Sequence, residues 1–136
     1  MKVFYSDEND YPRKINFVDE NNVVLGYNVE AICCENAGWF ISDTMLNEVP
    51  EKLYYKDRLD IQDYDEANKE LDGFVFDPSF IKEINLGYDK GNIAIFMVVK
   101  NEHKKYLHLF NLQNGYYSHD FDFSPPLKEF KREGSL

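Results

Sequence analysis

The chain has 136 residues, of which 43% are hydrophobic, 16% are aromatic and 29% are charged. This length fits a single domain over residues 1–136, and the apolar content is high enough to exclude a disordered protein. No apolar run approaches the about 20 residues that a membrane helix needs, and the acidic start lacks the apolar core of a signal peptide. We therefore expect a cytoplasmic protein that does not contact a membrane.

The formal net charge of −10 restricts the partners that the protein can bind. A negative field of this size repels phosphate backbones, so nucleic acid is not an expected partner. Cations and basic proteins are the partners that an acidic surface favours. The two cysteines, Cys33 and Cys34, are adjacent. A bond between them would link no distant segments, which excludes a disulfide framework and agrees with a reducing compartment.

The first pattern along the chain is an alternation of apolar and polar residues over residues 14–34, interrupted at residues 19–22 by the sequence DENN. Alternation with a period of two on both sides of an Asx-rich turn predicts an antiparallel β-hairpin. Residues 39–41 are predicted to form a further short strand that contains Trp39, and residues 42–46 are predicted to form a short helical segment.

Residues 42–84 are predicted to be an acidic segment of irregular and helical structure. Within it, residues 57–72 carry seven acidic side chains and two basic ones. The resulting charge of −5 is half of the net charge of the chain. Residues 65–71 are expected to form a short helix that the Asp72-Gly73 pair ends.

The C-terminal third predicts a three-stranded antiparallel meander over residues 92–123. Its strands are residues 92–100, 105–112 and 116–123, and Asn114-Gly115 supplies the second tight turn. The tail, residues 127–136, is expected to be charged and frayed. The predicted fold class is α+β and β-rich: an antiparallel sheet built from the N-terminal hairpin and this meander, with short helices between them.

Two short stretches carry a resemblance to a known family. They are Glu30-Ala31-Ile32-Cys33-Cys34-Glu35, near the end of the hairpin, and Asn114-Gly115-Tyr116-Tyr117-Ser118, in the meander. Both resemble elements of a small domain of unknown function from bacterial and phage genomes. Positions 31 and 32 depart from the Gln-Asp of that pattern, and residues 43–90 lie outside the match. The resemblance implies a β-rich fold and no particular activity.

The cysteine pair allows three interpretations. A metal site would use Cys33, Cys34 and His119, but adjacent residues of a strand point in opposite directions and chelate poorly. A nucleophilic cysteine would need His108 or His119 as its base, and the sequence contains no signal for an oxyanion hole. The structural interpretation, in which one thiol lies in the core and the other near the surface, is the one that we favour.

Several neighbouring residues are expected to have structural roles. We expect Glu35 to cap a turn at residues 36–38 and Trp39 to cover the apolar face of the sheet. Alternation directs one set of C-terminal side chains to the core, and among them His119 fits a hydrogen-bonded core histidine better than a catalytic base. The core set is Tyr117, His119, Phe121 and Phe123; the solvent set is Tyr116, Ser118, Asp120 and Asp122.

The sequence contains no P-loop, GxGxxG, nucleophile elbow or HExxH motif, so an enzyme is not the expected class and no cofactor is predicted. Its size, acidity and aromatic content are similar to those of immunity proteins that occlude the active site of a basic toxin. The residues expected to bind such a toxin are Asp57, Asp60, Asp63, Tyr64, Asp65 and Glu66.

Two alternatives to this function stay open at the level of the sequence. One is a metal- or ligand-binding domain, or a small enzyme, centred on Cys33, Cys34 and Glu35. The other is a phage-related accessory protein.

Overall fold

The computed structural model describes residues 1–7, 9, 12–30, 35–53, 64–87, 90–112, 117–125 and 131–136. These ranges contain nine strands, one 3-10 turn and one α-helix. The strands are β1 (Lys2–Tyr5), β2 (Lys14–Val18), β3 (Val24–Asn28), β4 (Asn36–Ser42), β5 (Val75–Asn85), β6 (Gly91–Lys100), β7 (His103–Leu112), β8 (Asp120–Ser124) and β9 (Arg132–Ser135). The 3-10 turn is Glu51–Leu53, and helix α1 is Tyr64–Glu70. None of the described helical segments is long and apolar enough to cross a bilayer.

The strands form two antiparallel sheets, which confirms the predicted β-rich class. The first sheet has the order β1-β2-β3-β8-β9, and the second sheet has the order β4-β7-β6-β5. The predicted N-terminal hairpin is present as β2 paired with β3, and its last predicted residues, 31–34, lie outside the described residues. The 65–71 helix is present as α1, and Gly73 follows it with a φ of 80°.

The predicted meander is correct for its first two strands only. β6 pairs with β7 along their whole length, but β8 pairs with β3 in the first sheet. The burial pattern supplies the reason, because β6 and β7 are buried on both faces whereas β8 alternates buried Phe121 and Phe123 with exposed Asp120 and Asp122. A strand with one apolar face belongs in a sheet whose outer face meets solvent.

The main core lies between the two sheets and is largely aromatic. Phe17 of β2 meets Trp39 of β4 edge to face, with ring centroids 5.4 Å apart. Phe96 of β6 contacts Phe121 and Phe123 of β8 at 5.7 and 5.2 Å. Trp39 is 4% exposed, so its predicted core position is confirmed.

A second apolar cluster covers the outer face of the second sheet. It combines side chains of the sheet with Val49 and Leu53 from the segment after β4. That segment is not helical over residues 42–46, so the predicted short helix there is wrong. The backbone is held by tertiary contact instead, because the Leu46 N–H donates to His108 Nε2 at 3.0 Å.

The C-terminal tail is also ordered where it is described. β9 pairs with β8, and Leu136 is only 4% exposed. Leu136 and His119 exchange two backbone hydrogen bonds of 3.0 Å each, which extend the ladder beyond β9. The expectation of a frayed tail is therefore wrong for residues 131–136, while residues 126–130 lie outside the described ranges.

Candidate functional site

Helix α1 is fixed to both sheets. Ala67, inside the helix, and Leu71, just after it, are buried in the main core. The side chain of Asn68 accepts a 2.8 Å hydrogen bond from the Val3 N–H and donates one of 2.8 Å to the Val3 carbonyl. Glu70 lies 3.3 Å from the ammonium of Lys105 in β7. Seven residues make only two turns, so these tertiary contacts, rather than helix propensity, define the position of the helix.

Lys105 also binds the segment that follows β4. Its ammonium lies 2.8 Å from the carboxylate of Asp43. The hydrogen bond and the charge of Lys105 lower the pKa of the Asp43 carboxyl below its usual value. The hydrogen bond to Asp43 likewise raises the pKa of Lys105. One cation therefore joins the C-terminal turn of α1, strand β7 and the loop after β4.

Tyr64, the first residue of α1, presents an aromatic ring at the surface. Its side chain is 43% exposed, and its ring meets the ring of Tyr5 edge to face at 5.6 Å. Tyr5 accepts a 3.4 Å hydrogen bond from Trp39 Nε1, and the guanidinium of Arg13 lies 5.4 Å from the Tyr5 ring centroid. The Tyr64 ring thus rests on a side chain that the core and a cation already hold in place.

Asp65 and Glu66 follow Tyr64 in the first turn of α1, and both are exposed. Carboxylates are favourable at this end of a helix because the unpaired backbone N–H groups carry partial positive charge. Glu66 makes a loose contact of 3.8 Å with Lys69, whose ammonium is itself highly exposed. Three of the six predicted partner-binding residues therefore share one surface, while Asp57, Asp60 and Asp63 lie outside the described residues.

A second acidic surface lies on the outer face of the first sheet. The register places Asp122 of β8 beside Glu133 of β9, and Asp120 beside Ser135, whose hydroxyl donates to the Asp120 carboxylate. Together with Lys14 of β2, these side chains line a groove of about 380 Å³. The predicted exposure of Asp120 and Asp122 is confirmed.

The sequence does not predict the position of Glu133, because this residue lies in the tail that is expected to be frayed. Its alternation with Arg132 and Gly134 is too short to identify a strand.

One residue of the two family-like stretches, Glu35, lies in a buried polar cluster with His119 and Asn111. His119 and Glu35 have side-chain exposures of 0% and 1%, and His119 Nε2 lies 3.2 Å from Glu35 Oε1. His119 Nδ1 lies 2.7 Å from the carbonyl oxygen of Asn28. Asn111, also fully buried, donates to the carbonyls of Tyr117 and Leu136 at 3.1 and 3.0 Å.

This geometry changes the role of Glu35. Residues 36–38 begin strand β4, so they form no turn for Glu35 to cap. Glu35 instead lies against His119, and this contact joins the residue before β4 to the residue before β8. His119 is a hydrogen-bonded core histidine, as expected, since both of its ring nitrogens have partners.

The remaining residues of the two family-like stretches lie at the surface, are partly buried, or fall outside the described residues. Tyr117 is 38% exposed, so its predicted core position is wrong, and Ser118 is exposed as predicted. The reason is that β8 begins at Asp120, so the strand alternation does not reach back to Tyr117. Glu30 is partly buried, and its N–H donates to the Asn28 side chain at 2.9 Å. The others, Cys33, Cys34, Asn114, Gly115 and Tyr116, lie outside the described residues.

Within the described ranges, no group of three or more His, Cys, Asp or Glu side chains is arranged to hold a metal ion. A metal bound to His119 would displace either the Asn28 carbonyl or the Glu35 carboxylate from a ring nitrogen. His119 is therefore a hydrogen-bonding residue in this fold.

His108 is the second buried histidine, and its ring packs against an aromatic side chain. Its ring stacks on Phe40 with centroids 4.2 Å apart and an interplanar angle of 8°. Burial lowers the pKa of His108 to about 4, so the ring is neutral at neutral pH. Nε2 accepts the Leu46 N–H, which places the proton on Nδ1. The bond thus gives His108 a role in holding the loop after β4.

Comparison of the chain with family models, with curated proteins and with solved structures finds no match in any of the three.

Proposed function

We propose that the protein is an inhibitor of the immunity-protein type, which binds a basic protein toxin in the cytoplasm and occludes its active site. The observation that carries the proposal is the surface at the start of α1. It combines an exposed tyrosine with two exposed carboxylates on a helix that contacts both sheets.

The net charge of −10 supports a basic partner and disfavours nucleic acid. Such a charge accelerates encounter with a cationic cleft, whereas the strength of the final complex depends on a few desolvated side chains. Tyrosine is among the residues that most often supply this energy, because a rigid ring buries a large area at a small entropic cost. Asp65 and Glu66 would occupy the positions of phosphates in the cleft of the toxin.

The rigidity of α1 favours binding with little rearrangement. A partner pays no entropy to order a helix that Asn68, Glu70 and Leu71 already hold in place. The proposed interface consists of Tyr64, Asp65 and Glu66, together with the undescribed Asp57, Asp60 and Asp63.

The test uses a toxin domain encoded directly upstream of this chain, if the neighbouring gene is a large exoprotein. Cells that express the toxin domain with the wild-type protein should survive. The double variant Asp65→Lys/Glu66→Lys should bind more slowly, with a weaker dependence on salt, and should lose protection.

The matched control is Asp122→Lys/Glu133→Lys, which changes the net charge equally on the outer face of the first sheet. This control should keep protection. Protection that survives the α1 reversal and disappears with the control would move the interface to the first sheet. Survival in both cases would exclude an electrostatic inhibitor of this kind.

A further inference from the structure

The contacts of His119 with Asn28 and Glu35 require hydrogen atoms at defined positions. A carbonyl oxygen only accepts hydrogen bonds, so His119 Nδ1, at 2.7 Å from the Asn28 oxygen, must carry a hydrogen. His119 Nε2 and Glu35 Oε1 are 3.2 Å apart and both buried. An unprotonated imidazole nitrogen and a carboxylate are both acceptors, so this second contact is a hydrogen bond only if one additional proton lies between them.

We propose that Glu35 and His119 share one buried proton, which locks the two sheets together and makes the fold a proton-dependent latch. The proton forms either an imidazolium with a carboxylate or a neutral imidazole with a carboxylic acid. In both forms one hydrogen bond joins the start of β4 in the second sheet to the residue before β8 in the first sheet. Removal of the proton leaves two acceptors facing each other without solvent, which is costly.

The polar groups that the structure describes beside the pair donate hydrogen bonds to other acceptors. Tyr27 of β3 lies beside the imidazole, with ring centroids 6.3 Å apart, and its hydroxyl donates to the Phe110 carbonyl at 2.7 Å. From the β9 side, Leu136 contacts His119 through its backbone N–H and carbonyl. From β7, Asn111 donates its amide to the carbonyls of Tyr117 and Leu136. Glu35, which has further interactions of its own, is the ionisable group paired with His119.

The hydrogen bonds of His119 also hold both ends of the connection that leads from the first sheet to the second. Asn28 ends β3 and Glu35 precedes β4, so one imidazole binds the chain on both sides of the connection between these strands. Loss of the proton would release the end of the connection that enters the second sheet.

The expected pH dependence follows from proton counting. In an unfolded chain, glutamate loses its proton near pH 4.3 and histidine near pH 6.5. Well above pH 6.5 the unfolded residues hold no proton between them, whereas the native pair of the proposal holds one. Stability conferred by the pair must then fall as pH rises, and the unfolding equilibrium constant should increase about tenfold per pH unit while the proton is retained.

The first experiment compares wild-type protein with Glu35→Gln in urea unfolding between pH 6.5 and 9. The glutamine amide can donate to neutral His119, so this pair needs no additional proton. As pH rises, the unfolding equilibrium constant of the wild type should increase relative to that of Glu35→Gln, by up to tenfold per pH unit. Parallel profiles of the two proteins would overturn the proposal.

His108→Gln supplies the control for removal of a buried histidine. Because His108 is already neutral above pH 6.5, this variant should keep the wild-type slope.

A second measurement needs no variant. In ¹⁵N-histidine NMR at pH 7, His108 should show one unprotonated ring nitrogen and serve as the internal reference. His119 should show either two protonated nitrogens or an unprotonated Nε2 with a protonated Glu35 carboxyl in the ¹³C spectrum. An unprotonated Nε2 together with an ionised Glu35 would overturn the shared proton.

Discussion

The side chain of Asn68 is paired with the backbone of Val3 as a residue of a neighbouring strand would be. It accepts from the Val3 N–H and donates to the Val3 carbonyl, both at 2.8 Å. β1 is the edge strand of the first sheet, and an open edge is a template for pairing with other chains. One amide therefore closes part of this edge and also fixes the helix that carries Tyr64.

Asn68→Ala should destabilise the protein by about 2 kcal/mol, because it loses the two hydrogen bonds to Val3 and the one that the amide donates to the Tyr64 carbonyl. It should also increase self-association through the reopened edge of β1. Urea unfolding and light scattering as a function of concentration would measure the two effects. Lys69→Ala, on an exposed position of the same helix, should change neither. An Asn68→Ala protein as stable and as monomeric as Lys69→Ala would show that the amide is dispensable.

The exposures of Tyr117 and Phe121 predict very different costs of truncation. Phe121 is 3% exposed and contacts Phe96, so Phe121→Ala should cost about 3 to 5 kcal/mol. Tyr117 is 38% exposed, and Tyr117→Ala should cost less than about 1 kcal/mol. Chemical unfolding of both variants tests the comparison. Similar losses of stability would contradict a strand β8 that begins at Asp120.

Asp19 is a buried carboxylate that joins the hairpin turn to the second sheet. Oδ1 accepts from the N–H groups of Asn21 and Val23, and Oδ2 accepts from the N–H of Phe76, all at 2.9 Å. Asp19→Asn replaces one acceptor oxygen by a donor NH₂ group and should cost about 2 kcal/mol in urea unfolding. The control is Asp77→Asn, whose carboxylate accepts two local hydrogen bonds from Ser79. Equal effects of the two substitutions would exclude this role of Asp19.

His108 should make the protein less stable in acid. Its pKa is about 4 in the folded protein, against about 6.5 in an unfolded chain, so the unfolded state binds more protons between these values. The contribution of the neutral ring is complete above pH 6.5 and decreases as pH falls towards 4, by about 3 kcal/mol at most.

His108→Gln should flatten the acid side of the stability curve relative to wild type, as followed by urea midpoints from pH 4 to 7. His103→Gln, at an exposed position, should leave the curve unchanged. A curve for His108→Gln that matches the wild type would show that His108 is protonated in the folded state at these pH values.

The sequence predicted the elements whose evidence is local. Alternation identified the β2–β3 hairpin, and the 65–71 pattern identified α1, because each depends on neighbouring residues. The sheet that β8 joins could not be predicted, since Phe121 and Phe123 show only that one face of the strand is buried. The same limit applies to the contacts at the site. Asn68 and Val3 are 65 residues apart, and Glu35 and His119 are 84 apart, so no local period reports either pair.

The interleaved order of the strands also determines when each sheet can assemble during synthesis. All four strands of the second sheet lie within residues 36–112, whereas the first sheet combines β1–β3 with β8 and β9. A ribosome therefore releases the complete second sheet while β3, already paired with β2, still lacks β8 on its other side. Until β8 emerges, the first sheet has only three of its five strands, β1, β2 and β3. Closure of the first sheet is thus a late, long-range step, which places the greatest risk of misassembly at the open side of β3.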